Sequence, residues 1–143
     1  MTVARSLLAG AAGAVALTAV HQTAIALTDR APRMDVLGMR AIAGLSQAAG
    51  VRPPRPLYAV TLAGDLLSNA LYYSLVAAGT PGREWTRGAL LGLGAGVGAV
   101  VLPPVLGLGR VPSGRTPATA AMAVAWYTIG GLAAAATARR LRP

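Results

Sequence analysis

Long apolar runs, each closed by a short cluster of arginine, glycine and proline, make up most of this chain. A membrane-spanning helix needs about 20 predominantly apolar residues. Four segments reach that length: Ser6 to Thr28, Leu57 to Ala78, Gly88 to Leu108 and Pro117 to Ala138. Their ends are marked chemically. Asp29 and Arg30 close the first, Pro56 opens the second, and a Gly79-Thr80-Pro81-Gly82 turn follows it. Gly109 and Arg110 end the third, and Pro117 stands where a first helical turn tolerates proline. The pattern predicts an all-α fold, a single up-and-down integral membrane domain of four transmembrane helices over residues 1–143.

The loop after the first span has structure of its own. Met34, Leu37, Met39, Ile42 and Leu45 recur at spacings near three, with Arg33, Asp35, Arg40 and Gln47 among and beside them, which predicts a short amphipathic helix over residues 33–49. It either lies in the membrane interface or caps the end of the bundle. Val51 to Pro56 holds three prolines and two arginines and should be extended. Arg5, the first apolar run and Ala24-Ile25-Ala26 also resemble a signal peptide with its small-residue cleavage site. The run is longer than a signal core, so it is read as a retained helix.

Composition agrees with this pattern. Of 143 residues, 55% are hydrophobic and 12% charged, about half the charged share of an ordinary soluble domain. All 13 basic residues are arginine, and the net charge is +9. The arginines fall between the apolar runs, as headgroup anchors do. With aromatics at 4%, the interleaved stacking residues of a nucleic-acid binder are missing. The absence of cysteine excludes disulfides and thiolate chemistry, and a single histidine cannot build a histidine-cluster metal site. No metal, cofactor or nucleic acid is expected; the partners expected are the lipid bilayer and other membrane subunits, including further copies of the chain. Arginines divide almost evenly between the two ends of the bundle. The positive-inside rule therefore gives only a slight preference for cytoplasmic termini in a bacterial inner membrane.

Each of the four spans carries candidate chemistry. In the second, Thr61, Asp65, Ser68, Asn69, Tyr72 and Tyr73 fall on one helical stripe. A carboxylate at membrane depth is costly unless paired, hydrated or protonated, so Asp65 is a functional-site candidate that could equally bond a neighbouring helix. In the first, His21 and Gln22 stand at a matching depth. At about 1.5 Å rise per residue, His21 is about 10 Å and Asp65 about 12 Å from the loop-one end of their helices. In the third, Gly88, Gly92 and Gly96 form one small-residue face and Gly94 and Gly98 another, a pattern that permits close helix approach within the bundle or between copies. Pro103 and Pro104 should break or kink this helix and free the carbonyls near Ala99 and Val100. In the fourth, Trp126, Tyr127 and Thr128 interrupt a run of alanines and should face the core.

These residues point to a non-enzymatic membrane protein that self-associates or serves as a subunit of a larger assembly. The alternative is a transporter or channel for protons, ions or a small polar solute, using a path through His21, Asp65 and Asn69. A haem site with His21 as one axial ligand ranks third.

Overall fold

The computed structural model describes residues 2–109 and 112–142; Arg110, expected to close the third span, lies outside them. Five α-helices and no strand occur among the described residues: α1 (Val3–Leu27), α2 (Met34–Ala48), α3 (Leu57–Ser74), α4 (Glu84–Val105) and α5 (Pro117–Arg140). Single 3₁₀ turns at Leu75–Ala77 and Pro112–Gly114 precede α4 and α5.

Three of these helices, α1, α4 and α5, are long and apolar enough to cross a membrane, which marks the chain as a membrane protein. The expectation of four spans is corrected. The α-helical part of the second segment stops at Ser74, giving α3 18 residues, about 27 Å of helix against a hydrocarbon core of about 30 Å. That length is at the short end of the spanning range, and the stripe from Thr61 to Tyr73 displaces apolar side chains within it, so α3 falls short on polarity.

Helix ends follow local chemistry. The Thr2 hydroxyl accepts the Arg5 N–H at the start of α1. Thr116 and Thr119 form a reciprocal capping box at the start of α5, with Pro117 in the first turn, so two otherwise orphaned donors are satisfied. Helix α4 begins four residues before the expected Gly88, because Glu84 suits the positive end of a helix dipole. It passes through Pro103 and Pro104 and ends at Val105. There the Leu108 N–H donates to Pro103 O at 3.0 Å, made possible by Gly107 in the left-handed region at φ 73°.

Packing runs α3 against α1, α1 against α5 and α5 against α4, with α2 folded onto α3. The core where α1, α3 and α5 meet is built from Leu17, Tyr73, Val76, Trp126, Ala134 and Ala135. Small residues bring the backbones close. A Cβ placed on Gly88 would collide with Gly131 O, one on Gly92 would lie 2.6 Å from the Thr128 Cα, and one on Gly96 would lie 2.6 Å from the Val124 Cα. The Gly88/Gly92/Gly96 face is thus the seam between α4 and α5. Gly94 and Gly98 belong to the other face, where only the Tyr72 hydroxyl approaches Gly94, at 3.9 Å from a would-be Cβ. Outward, α4 presents Leu90, Val97, Val101 and Val105, an apolar surface suited to hydrocarbon.

Candidate site between α1, α2 and α3

His21 and Asp65 line one open cavity of about 240 Å³, walled by α1, α2 and α3. Gln22 joins from α1, Thr61 and Tyr58 from α3, and Met34, Asp35, Gly38 and Ile42 from α2. Helix α2 reaches this position because Gly38 has no side chain. A Cβ there would meet the Thr61 methyl at 2.5 Å, so the two helices touch where the cavity needs a wall.

Asp65 is exposed onto this space. Among the described residues its carboxylate receives one hydrogen bond, from Asn69 Nδ2 to Oδ1 at 2.9 Å; the same amide donates to the Asp65 carbonyl, also at 2.9 Å. Asn69 is buried and so locks the carboxylate rotamer from one turn along α3. No hydrogen bond joins Asp65 to His21 among the described residues. The buried His21 Nε2 lies 3.1 Å from Pro32 O and 3.4 Å from the Met34 backbone N–H. One nitrogen cannot donate to the carbonyl and accept from the amide together, and the shorter contact calls for the proton on Nε2. The ring also stacks at a tilt on Trp126, with centroids 5.3 Å apart. His21 therefore anchors the turn into α2, and Nδ1 is left with a lone pair when the ring is neutral.

The other hydroxyls of the polar stripe bond to backbone carbonyls. The Thr61 hydroxyl donates to Leu57 O at 2.8 Å and that of Ser68 to Asp65 O at 3.1 Å, both within α3. Tyr72 donates to Leu91 O of α4 at 3.0 Å, and Tyr73 to Tyr127 O of α5 at 2.7 Å. The two tyrosines thus join α3 to helices it otherwise barely touches. Tyr127 is half-buried and packs against the core that holds Trp126. The carbonyl freed by Pro103 is that of Ala99, and the fully buried Ser113 hydroxyl donates to it at 2.8 Å.

At the cavity mouth, Asp35 is held by Arg33 through Nε–H to Oδ1 at 2.9 Å and Nη2–H to Oδ2 at 2.6 Å. This fork keeps the Asp35 carboxyl below its ordinary value and raises the Arg33 guanidinium, each chiefly through the shared hydrogen bonds. Asp35 is thus already neutralised, whereas Asp65 has no ion pair among the described residues.

Sequence reasoning missed two features. One is the contribution of α2 to the cavity, although Met34, Gly38 and Ile42 lie four residues apart on one face. The other is Glu84, 1% exposed at the far end of the bundle. It forms an ion pair with Arg142, lies 3.9 Å from Arg87 Nη2, and accepts the Gly82 N–H at 3.2 Å. Arg87 in turn donates to Val76 O and Thr80 O. The signal was an acid three residues before an arginine at a helix start.

No family model, no curated protein and no solved structure matches this chain.

Proposed function

We propose that this is a non-enzymatic integral membrane protein that admits a small cationic or polar solute, protons included, to the cavity beside Asp65 and serves its passage or retention. The observation that carries this reading is the placement of Asp65: an acid on α3, a helix packed against the apolar span α1, open to a cavity of about 240 Å³, with a single amide hydrogen-bonding its carboxylate among the described residues. Drug-sized ligand sites occupy roughly 300–1,000 Å³, so this volume suits a few heavy atoms or several waters. A carboxylate that faces a cavity beside a membrane-spanning helix is placed as those of solute and proton pathways are. His21, fixed by Pro32 on one nitrogen, offers the other as a proton acceptor or solute contact.

Flux in proteoliposomes tests it. Wild-type protein should carry methylammonium or protons above the protein-free background, and Asp65→Asn should stay folded while losing most of that flux, because the amide keeps the shape and removes the charge. Flux no greater than that of empty vesicles, or unchanged in the variant, refutes the reading.

Self-association is a second reading, favoured by the open Gly94 and Gly98 face of α4, where a further helix could approach closely. Gly94→Leu should then lower the oligomer fraction in mild detergent without changing the monomer's thermal stability.

A further inference from the structure

A second cavity, of about 560 Å³, opens where the C-terminal ends of α1 and α4 meet the N-terminal ends of α2 and α5. It is separate from the Asp65 cavity and differs in chemistry. Its lining includes three arginines, Arg33, Arg40 and Arg115, against one carboxylate, Asp29. In formal charges, the three arginines against Asp29 and Arg33's fork partner Asp35 leave the site net positive. Thr119 brings the N-terminal end of α5 to the wall, and a helix N-terminus adds positive potential there. The opposite wall is apolar, formed by Val100 and Pro104 near the end of α4. Positive groups at the end of a membrane helix, continuous with an apolar flank, match an amphiphile whose anionic head lies at the interface and whose tail follows the helix. Arginine is also the side chain whose planar fork pairs best with phosphate oxygens.

We infer that this cavity binds an anionic phosphate group, through Arg115 and Arg40 with Arg33 at its edge. The chemistry is shared by a phospholipid headgroup and by free phosphate, and the test separates these sources. Protein purified in neutral detergent would be given equal amounts of phosphatidylglycerol and phosphatidylcholine, and bound lipid measured by native mass spectrometry. A parallel thermal melt would include inorganic phosphate at low millimolar concentration without lipid. Two variants remove one charge each: Arg115→Gln inside the cavity, and Arg52→Gln in the segment before α3 and outside it. A lipid headgroup site is supported if phosphatidylglycerol is retained preferentially and Arg115→Gln cuts that preference by about five-fold while Arg52→Gln leaves it. A free-phosphate site is supported if phosphate raises the melting temperature of wild type and not of Arg115→Gln, with no lipid preference. The absence of both a lipid preference and a phosphate shift would overturn the proposal. So would an equal loss in Arg52→Gln, which would mean that the overall charge of +9 attracts anions without a site. Arg40→Gln, tested alongside, should reproduce the Arg115→Gln result.

Discussion

At the residue scale, Asp65 and Asp35 are two carboxylates on one cavity with opposite circumstances. Asp35 has a bidentate arginine, and its lowered pKa ties it to stability: an acid depressed by folding stabilises at pH above its unfolded value, near 3.8, and loses that contribution as pH falls through the lower folded value. Wild type should therefore lose stability below about pH 4 through this pair, and Asp35→Asn should lack that component. The Arg33 side chain is 53% exposed, so the pair is worth less than about 1 kcal/mol at neutral pH. Melting temperatures of both proteins between pH 3 and 7, in one detergent, read the difference; parallel curves would count against it. His21 is a different kind of residue. Its contact to Pro32 makes it a support of the α1–α2 turn, so His21→Ala should disturb the cavity wall as well as remove a proton acceptor, whereas Asp65→Asn separates charge from shape.

At the element scale, the glycines of α4 behave in two ways. Gly92 meets the backbone of α5 at Thr128, whereas Gly94 meets almost nothing. Gly92→Ala must push two backbones apart and should cost about 1–3 kcal/mol, as overpacking does. Gly94→Ala should be neutral or stabilising by up to about 1 kcal/mol, from helix propensity alone. Thermal unfolding of the two variants side by side would check this, and equal destabilisation would place the α4–α5 seam elsewhere. Helix α3 illustrates the opposite balance. Its polarity keeps it from qualifying as a span by itself, and it is held instead by Tyr72 and Tyr73, which donate to carbonyls on α4 and α5.

At the scale of the whole molecule, the Glu84 cluster ties the start of α4 to the C-terminal end of the chain and, through Arg87, to the turn after α3. Glu84 is buried while Arg87 and Arg142 are 22% and 21% exposed, so removing the carboxylate leaves two mostly buried guanidinium groups without it, at up to about 3 kcal/mol, the lower end for a fully buried pair. Glu84→Gln should therefore destabilise more than any single substitution in the Asp65 cavity. Limited proteolysis at the C-terminus should also quicken in this variant, since Arg142 loses its anchor. An unchanged melt and an unchanged cleavage rate would show that the cluster contributes little.

The helical class, the boundaries of α1, α2 and α5 to within a few residues, and the membrane setting were legible in the sequence, because run length, capping residues and arginine spacing are local properties. The Gly88/Gly92/Gly96 spacing was legible too, since a helix places residues four apart on one face whatever it packs against. Which neighbour that face meets was not, because nothing in the spacing separates α5 from a second copy. The count of spans failed at α3, where an apolar run was extended through Leu75–Ala77 and its polar stripe was weighed too lightly. The common depth of His21 and Asp65 followed from helical rise, but their separate partners did not. A histidine's hydrogen bond to Pro32 O and the folding of α2 onto α3 depend on how the chain turns in three dimensions. The same holds for Glu84 and Arg142, 58 positions apart. Only the packed bundle brings that carboxylate and that guanidinium out of water together, and only there does each become the other's necessary partner.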